Sequence, residues 1–133
     1  MSSRCSIVKG ISILLALLGV AAIVVGAIMY FGASAVDLEV EDGVKMAQIA
    51  AIIMAVMGVV ELVAGICGVV GSGNPARLMP FIVLGAVVGC ANVAEIVVNL
   101  VMGGGSVWLN VVYAAAVFTA VFHAVQARKE AAK

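Results

Sequence analysis

Four predominantly apolar stretches, residues 10–33, 46–71, 78–102 and 107–126, take up most of the 133-residue chain. Each meets the roughly 20 residues that a helix needs to cross a hydrocarbon core of about 30 Å. Inside such a core no water satisfies backbone N–H and C=O groups, so only helices and closed barrels can span it. A barrel is excluded because the stretches lack alternate-residue patterning and are too long for tilted strands. Val and Ile are abundant and favour strands in water, but lipid imposes the helix. Pro80 falls in the first turn of the third stretch, where its missing N–H is harmless. The expected fold class is all-α: an integral membrane four-helix bundle of two hairpins, a single domain over 1–133, multi-pass in the cell membrane.

Composition agrees. Apolar residues make up 65% of the chain and charged residues 11%. A soluble domain carries roughly 45–50% and about 25%. An ordinary soluble domain and a disordered chain are both excluded. Zero formal net charge with a single His leaves no electrostatic footprint for nucleic acid.

Basic residues set the expected orientation. Arg4 and Lys9 precede the first stretch, Arg77 lies in the second connection, and Arg128, Lys129 and Lys133 follow the fourth. All six fall on one side. The other side has Lys45 alone, beside Asp37, Glu39, Glu41 and Asp42. The positive-inside rule then puts both termini in the cytoplasm. The first apolar run exceeds the 7–15 residues or so of a signal-peptide core, so it is expected to stay as an uncleaved span.

Helices in lipid associate by close packing of small residues rather than by the hydrophobic effect. The second stretch carries Ala51, Met54, Gly58, Glu61, Gly65 and Gly68 at alternating steps of three and four. The third carries Gly85, Gly89, Asn92, Glu95 and Asn99, and the first carries Gly19, Ala22 and Gly26. These steps suit left-handed bundle packing. Gly58, Gly65, Gly68, Gly85 and Gly89 are the expected helix-packing positions.

Two carboxylates interrupt these faces. An ionised side chain near the bilayer centre costs on the order of 2.5–3.5 kcal/mol on insertion scales and marks a candidate site. Glu61, Asn92, Glu95 and Asn99 form the candidate intramembrane polar site, and the stripes turn each toward the bundle interior. Counting residues from the basic end puts Glu61 about 15 Å deep, Asn92 about 21 Å and Glu95 about 26 Å. On that estimate Glu61 reaches Asn92 but not Glu95. Two readings stand: an ion, proton or small-solute site, or interhelical hydrogen bonds that fix packing register.

The remaining residues carry less. His123, near the basic end of the fourth stretch, is a candidate titratable group or an interfacial His. Trp108 and Tyr30 read as boundary anchors. Tyr113 is deeper and is expected to bond a neighbouring helix through its hydroxyl. Cys5, Cys67 and Cys90 form no CxxC, so neither a disulfide nor a metal ligand set is expected. The acidic connection lacks the Gly and Glu spacing of an EF-hand. No cofactor, metal or catalytic constellation is visible, so an enzyme is not expected.

The run Glu61-Leu62-Val63-Ala64-Gly65-Ile66-Cys67-Gly68, followed by Asn74-Pro75-Ala76-Arg77, resembles uncharacterised small four-span membrane proteins of Gram-positive bacteria. They share a Glu-Leu-x-Ala-Gly-x-x-Gly second span and a short Pro-containing basic turn. The resemblance is sharp over 58–77 and implies the hairpin pair, but no activity. Small multidrug transporters place their carboxylate in the first span, where residues 10–33 hold none. The expected partners are the lipid bilayer and either a second copy or another membrane protein. The leading functional expectation is an assembly or interaction protein. The alternative is an oligomeric proton- or cation-coupled transporter or channel using Glu61.

The orientation is directly checkable. In a cysteine-free background, a cysteine at Ser3 should react with an impermeant maleimide only after the membrane is opened. A cysteine at Glu39 should react from outside. The reverse pattern would refute cytoplasmic termini.

Overall fold

The structure, a computed structural model, describes residues 2–36, 39 and 41–133; Asp37 of the acidic connection lies outside them. Among the described residues there are four α-helices and no strand. They are α1 (Ser3–Gly32), α2 (Gly43–Gly73), α3 (Met79–Met102) and α4 (Val107–Ala131), with 3₁₀ turns at Ala33–Ala35 and Pro75–Arg77. All four are long and apolar enough to cross a membrane.

Three helices outrun the apolar stretches. α1 begins at Ser3 rather than residue 10, α2 runs Gly43–Gly73 rather than 46–71, and α4 continues to Ala131 rather than 126. Apolarity marks the length suited to hydrocarbon, whereas a helix ends at its cap. Ser2 caps α1, its hydroxyl accepting from Cys5 N at 3.3 Å. Asn74 stops α2 in extended backbone, and its side-chain oxygen accepts from Ala76 N. Pro75 then opens the 3₁₀ turn. α3 ends at Gly103, whose φ of 70° suits glycine, with its N–H donating to Asn99 O.

Consecutive helices are antiparallel neighbours. Gly19 of α1 meets Gly58 and Leu62 of α2, while Gly65 of α2 meets Ser12 and Ala16. Gly85 and Gly89 of α3 meet Val121 and Phe118 of α4. Gly71 of α2 meets Leu78 at the head of α3. Arg4 of α1 pairs with Glu130 of α4 at 2.9 Å, which closes the ring. That pair is exposed, so it contributes at most about 1 kcal/mol.

Side-chain size is distributed opposite to a soluble protein. The interior is rich in Gly and Ala, including Ala51, Ala64, Ala114, Ala120, Ala124 and Ala127. Large apolar side chains face out: Leu17 is 64% exposed, Phe31 77% and Val101 79%. On α2 the outward stripe is Ile52, Val56, Val59, Val63, Ile66 and Val70. A soluble monomer rarely exposes contiguous apolar surface beyond a few hundred Å². Such a surface matches lipid as its solvent.

The larger buried side chains are concentrated toward one end. Val8, Leu15, Leu78, Phe81, Val88 and Val117 are all fully buried. They lie in the half of the bundle that carries both termini or at its middle. The opposite half is held by small-residue contact between α1 and α2, at Gly19, Gly26, Ala51 and Gly58. The bundle is therefore sealed at the terminal end and looser at the far end.

Glycine contact predicts a graded response. A Cβ on Gly65 would lie 2.6 Å from Ser12 O and Ala16 N, whereas one on Gly10 meets nothing within 4 Å. Gly65→Ala must push the α1 and α2 backbones apart and is expected to cost about 1–3 kcal/mol. Gly10→Ala should be neutral or slightly stabilising. Unfolding in bicelles by denaturing detergent measures both, and equal effects would contradict this packing.

Candidate functional site

Glu61 and Glu95 line one cleft. With Ala22 of α1 and Ala50, Ile53, Met54 and Met57 of α2, they bound a cavity of about 310 Å³. Glu61 is half-buried and Glu95 is exposed. Glu95 thus does not face the closed interior as expected, and it borders the same cavity as Glu61.

Helix geometry explains the meeting. From the actual ends, Glu61 is about 18 Å from Gly73 and Glu95 about 24 Å from Met79, so the offset is about one turn. Cα–Cβ bonds tilt toward the helix N-terminus. α2 runs toward the terminal end and α3 away from it. The Glu61 side chain therefore leans to the far end and the Glu95 side chain leans back, which shortens the gap. Counting residues from the apolar edges misses both the true helix ends and this lean.

Tyr113 of α4 stands beside Glu61. Its buried hydroxyl is nevertheless outside hydrogen-bonding geometry and has no partner. The expected bond to a neighbouring helix is thus an approach to Glu61 rather than a formed bond. In the sequence Tyr113 stands alone as a deep polar group. Its alignment with Glu61 follows from the way α4 packs across the bundle, which no local pattern encodes.

The other polar candidates do not line the cleft. Asn92 is buried and its amide donates to Val88 O, one turn back on α3, at 3.0 Å. Its side chain therefore bonds its own helix rather than Glu61. The Asn99 carbonyl accepts from Gly103 N and Gly104 N, and its side chain lies against Gly105. Asn99 thus ends α3 rather than lining the cleft. His123 is half-buried with an unpartnered Nδ1, edge-on to Phe122 at 5.8 Å. It lies about 15 Å along α4 from Tyr113, outside the cleft.

The glycine positions face neighbouring helices. Gly58 and Gly65 meet α1, Gly68 meets Ser12 and the Phe81 ring, and Gly85 and Gly89 meet α4. The small-residue faces are thus used inside the chain. Cys5 is buried, Cys67 half-buried and Cys90 exposed, all as free thiols. Among the described residues no three His, Cys, Asp or Glu side chains gather as a metal ligand set.

Chemically, the cleft is lined by two carboxylates and by no cation. It can accept hydrogen bonds, exchange protons or attract a positive group. The packed core of Leu15, Phe81, Val88 and Val117 lies between it and the terminal end. No family model matches the chain, and no curated protein or solved structure matches it either.

The unpartnered hydroxyl predicts a stability result. Tyr113→Phe removes a buried oxygen that bonds nothing, so folding stability should hold or rise by up to about 1 kcal/mol. Denaturing-detergent titration in bicelles measures this. A loss above about 1 kcal/mol would mean that the hydroxyl bonds Glu61.

Proposed function

We propose that the chain is a small multi-pass protein of the cell membrane, with cytoplasmic termini, that acts by binding another membrane protein across the Glu61–Glu95 cleft. The observation that carries this reading is the exposure of Glu95, the one charged side chain of α3. A carboxylate facing hydrocarbon is costly, and a polar partner group offsets that cost. The small-residue faces are engaged within the chain, so the cleft replaces them as the contact surface. A helix presenting a basic or amide side chain complements it better than a second copy, which would bring four carboxylates together.

A photo-crosslinking residue at Ile53, in the cleft, should give a discrete protein adduct in cell membranes. The same residue at Val56, on the outward stripe, should not. Replacing both Glu61 and Glu95 by Leu should abolish the adduct, and replacing both by Gln should retain it, since Gln still hydrogen-bonds. Lipid adducts alone at Ile53 would overturn the proposal.

A second reading, proton or cation handling at Glu61, is favoured by the Tyr113 hydroxyl beside Glu61. It requires the sealed terminal half to open, or a path formed between copies. Flux into liposomes that vanishes in Glu61→Gln would establish it. Absence of flux in both proteins, each folded, would exclude it.

A further inference from the structure

A further groove lies away from the polar cleft, at the terminal end between α3 and α4. Its volume is about 560 Å³, within the usual 300–1,000 Å³ or so of ligand pockets. Ala76, Met79, Ile82, Val125, Ala131 and Ala132 make its apolar wall, and Arg128 and Lys129 supply its charge. Four other grooves among the described residues carry no basic side chain. Grooves without charge suit acyl chains of any lipid. This one adds two cations at the boundary of the apolar span.

Among the described residues neither charge is in an ion pair. α4 continues as helix beyond its apolar stretch to Ala131, which fixes Arg128 and Lys129 over the head of α3. The Arg128 guanidinium rests on Met79, with Nη1 3.5 Å from Sδ. The neighbouring acid, Glu130, is engaged by Arg4 of α1. No acidic side chain lines the groove. Arg77 follows Ala76 in the adjoining turn and adds a third positive charge nearby.

We infer that this groove binds an anionic phospholipid of the surrounding leaflet. An acyl chain lies along Met79, Ile82 and Val125, and the headgroup phosphate meets Arg128 and Lys129. Basic pockets between membrane helices select lipid headgroups in this way. The occupant matches both parts of the groove: an apolar length in the hydrocarbon and a negative group at its edge. Such binding depends on the chain lying in a bilayer. It is independent of the partner reading, because the two sites share no residue.

The test is native mass spectrometry and thermal stability of the whole chain in detergent. Phosphatidylglycerol, phosphatidylcholine and inorganic phosphate are added separately. The wild type should retain phosphatidylglycerol in preference and melt later with it. Arg128→Ala with Lys129→Ala should cut that preference about 25-fold, from roughly fivefold per cation. Lys9→Ala, which removes a terminal-end charge outside the groove, should leave it unchanged. Ile82→Trp, which fills the groove but keeps its charges, should abolish retention while the helical spectrum persists. Equal retention of both lipids would overturn the inference, and so would an undiminished preference in the double variant. Full stabilisation by inorganic phosphate alone would overturn it in favour of a simple ion site. Dimer formation that displaces lipid from the groove would overturn it in favour of a second copy.

Discussion

Gly19 on α1 and Gly58 and Gly65 on α2 bring two helix backbones so close that one methyl group would strike peptide atoms at 2.6 to 2.8 Å. In water, such an interface gains little, because glycine has no apolar side chain to bury. In lipid, the hydrocarbon around the helices is as apolar as any side chain, and the gain comes from contact at short range. Small residues therefore move inside and large ones outside. The buried Ala series on α4 and the outward Ile and Val stripe on α2 follow from the same constraint.

Where large side chains enter, the bundle fills. Phe81 reaches Gly68, and Phe118 and Val121 occupy the space beside Gly89 and Gly85. These contacts seal the terminal half and its middle. Beyond them α1 and α2 stay in glycine contact, while the space beside α2 and α3 is left to Glu61 and Glu95. The cleft is therefore a consequence of where bulk is placed along the helices. Its polar lining sits beyond the large buried side chains.

Much of this was legible in the sequence. Length and apolarity reveal four helices, because a chain in lipid has no other way to pair its backbone. Glycine at steps of three and four marks the contact faces, because those steps return to one side of a helix. The meeting of Glu61 and Glu95 was not legible. It depends on helix ends set by Asn74 and Pro75, and on the opposite lean of side chains on antiparallel helices. Tyr113 was legible as polar and deep, but its neighbour depends on packing across the bundle. Asn92 and Asn99 looked like site residues by their spacing. Their bonds to Val88 and to the Gly103 turn are local. Arg128 and Lys129 stand out in the sequence only as topology markers, because a groove is visible only once α3 and α4 are paired.

The central claim is that α2 presents three distinct faces: one packed, one toward lipid and one toward a polar cleft. Spin labels placed singly along residues 50–63, in purified protein in lipid nanodiscs, test it most directly. Accessibility to a water-soluble nickel complex should peak at Ala50, Ile53 and Met57. Accessibility to oxygen should peak at Ile52, Val56, Val59 and Val63. The two profiles would be out of phase, with both low at Gly58. Nickel accessibility that stays low at Ile53 and Met57 while oxygen rises there would mean that the face meets hydrocarbon, and the cleft account would be contradicted.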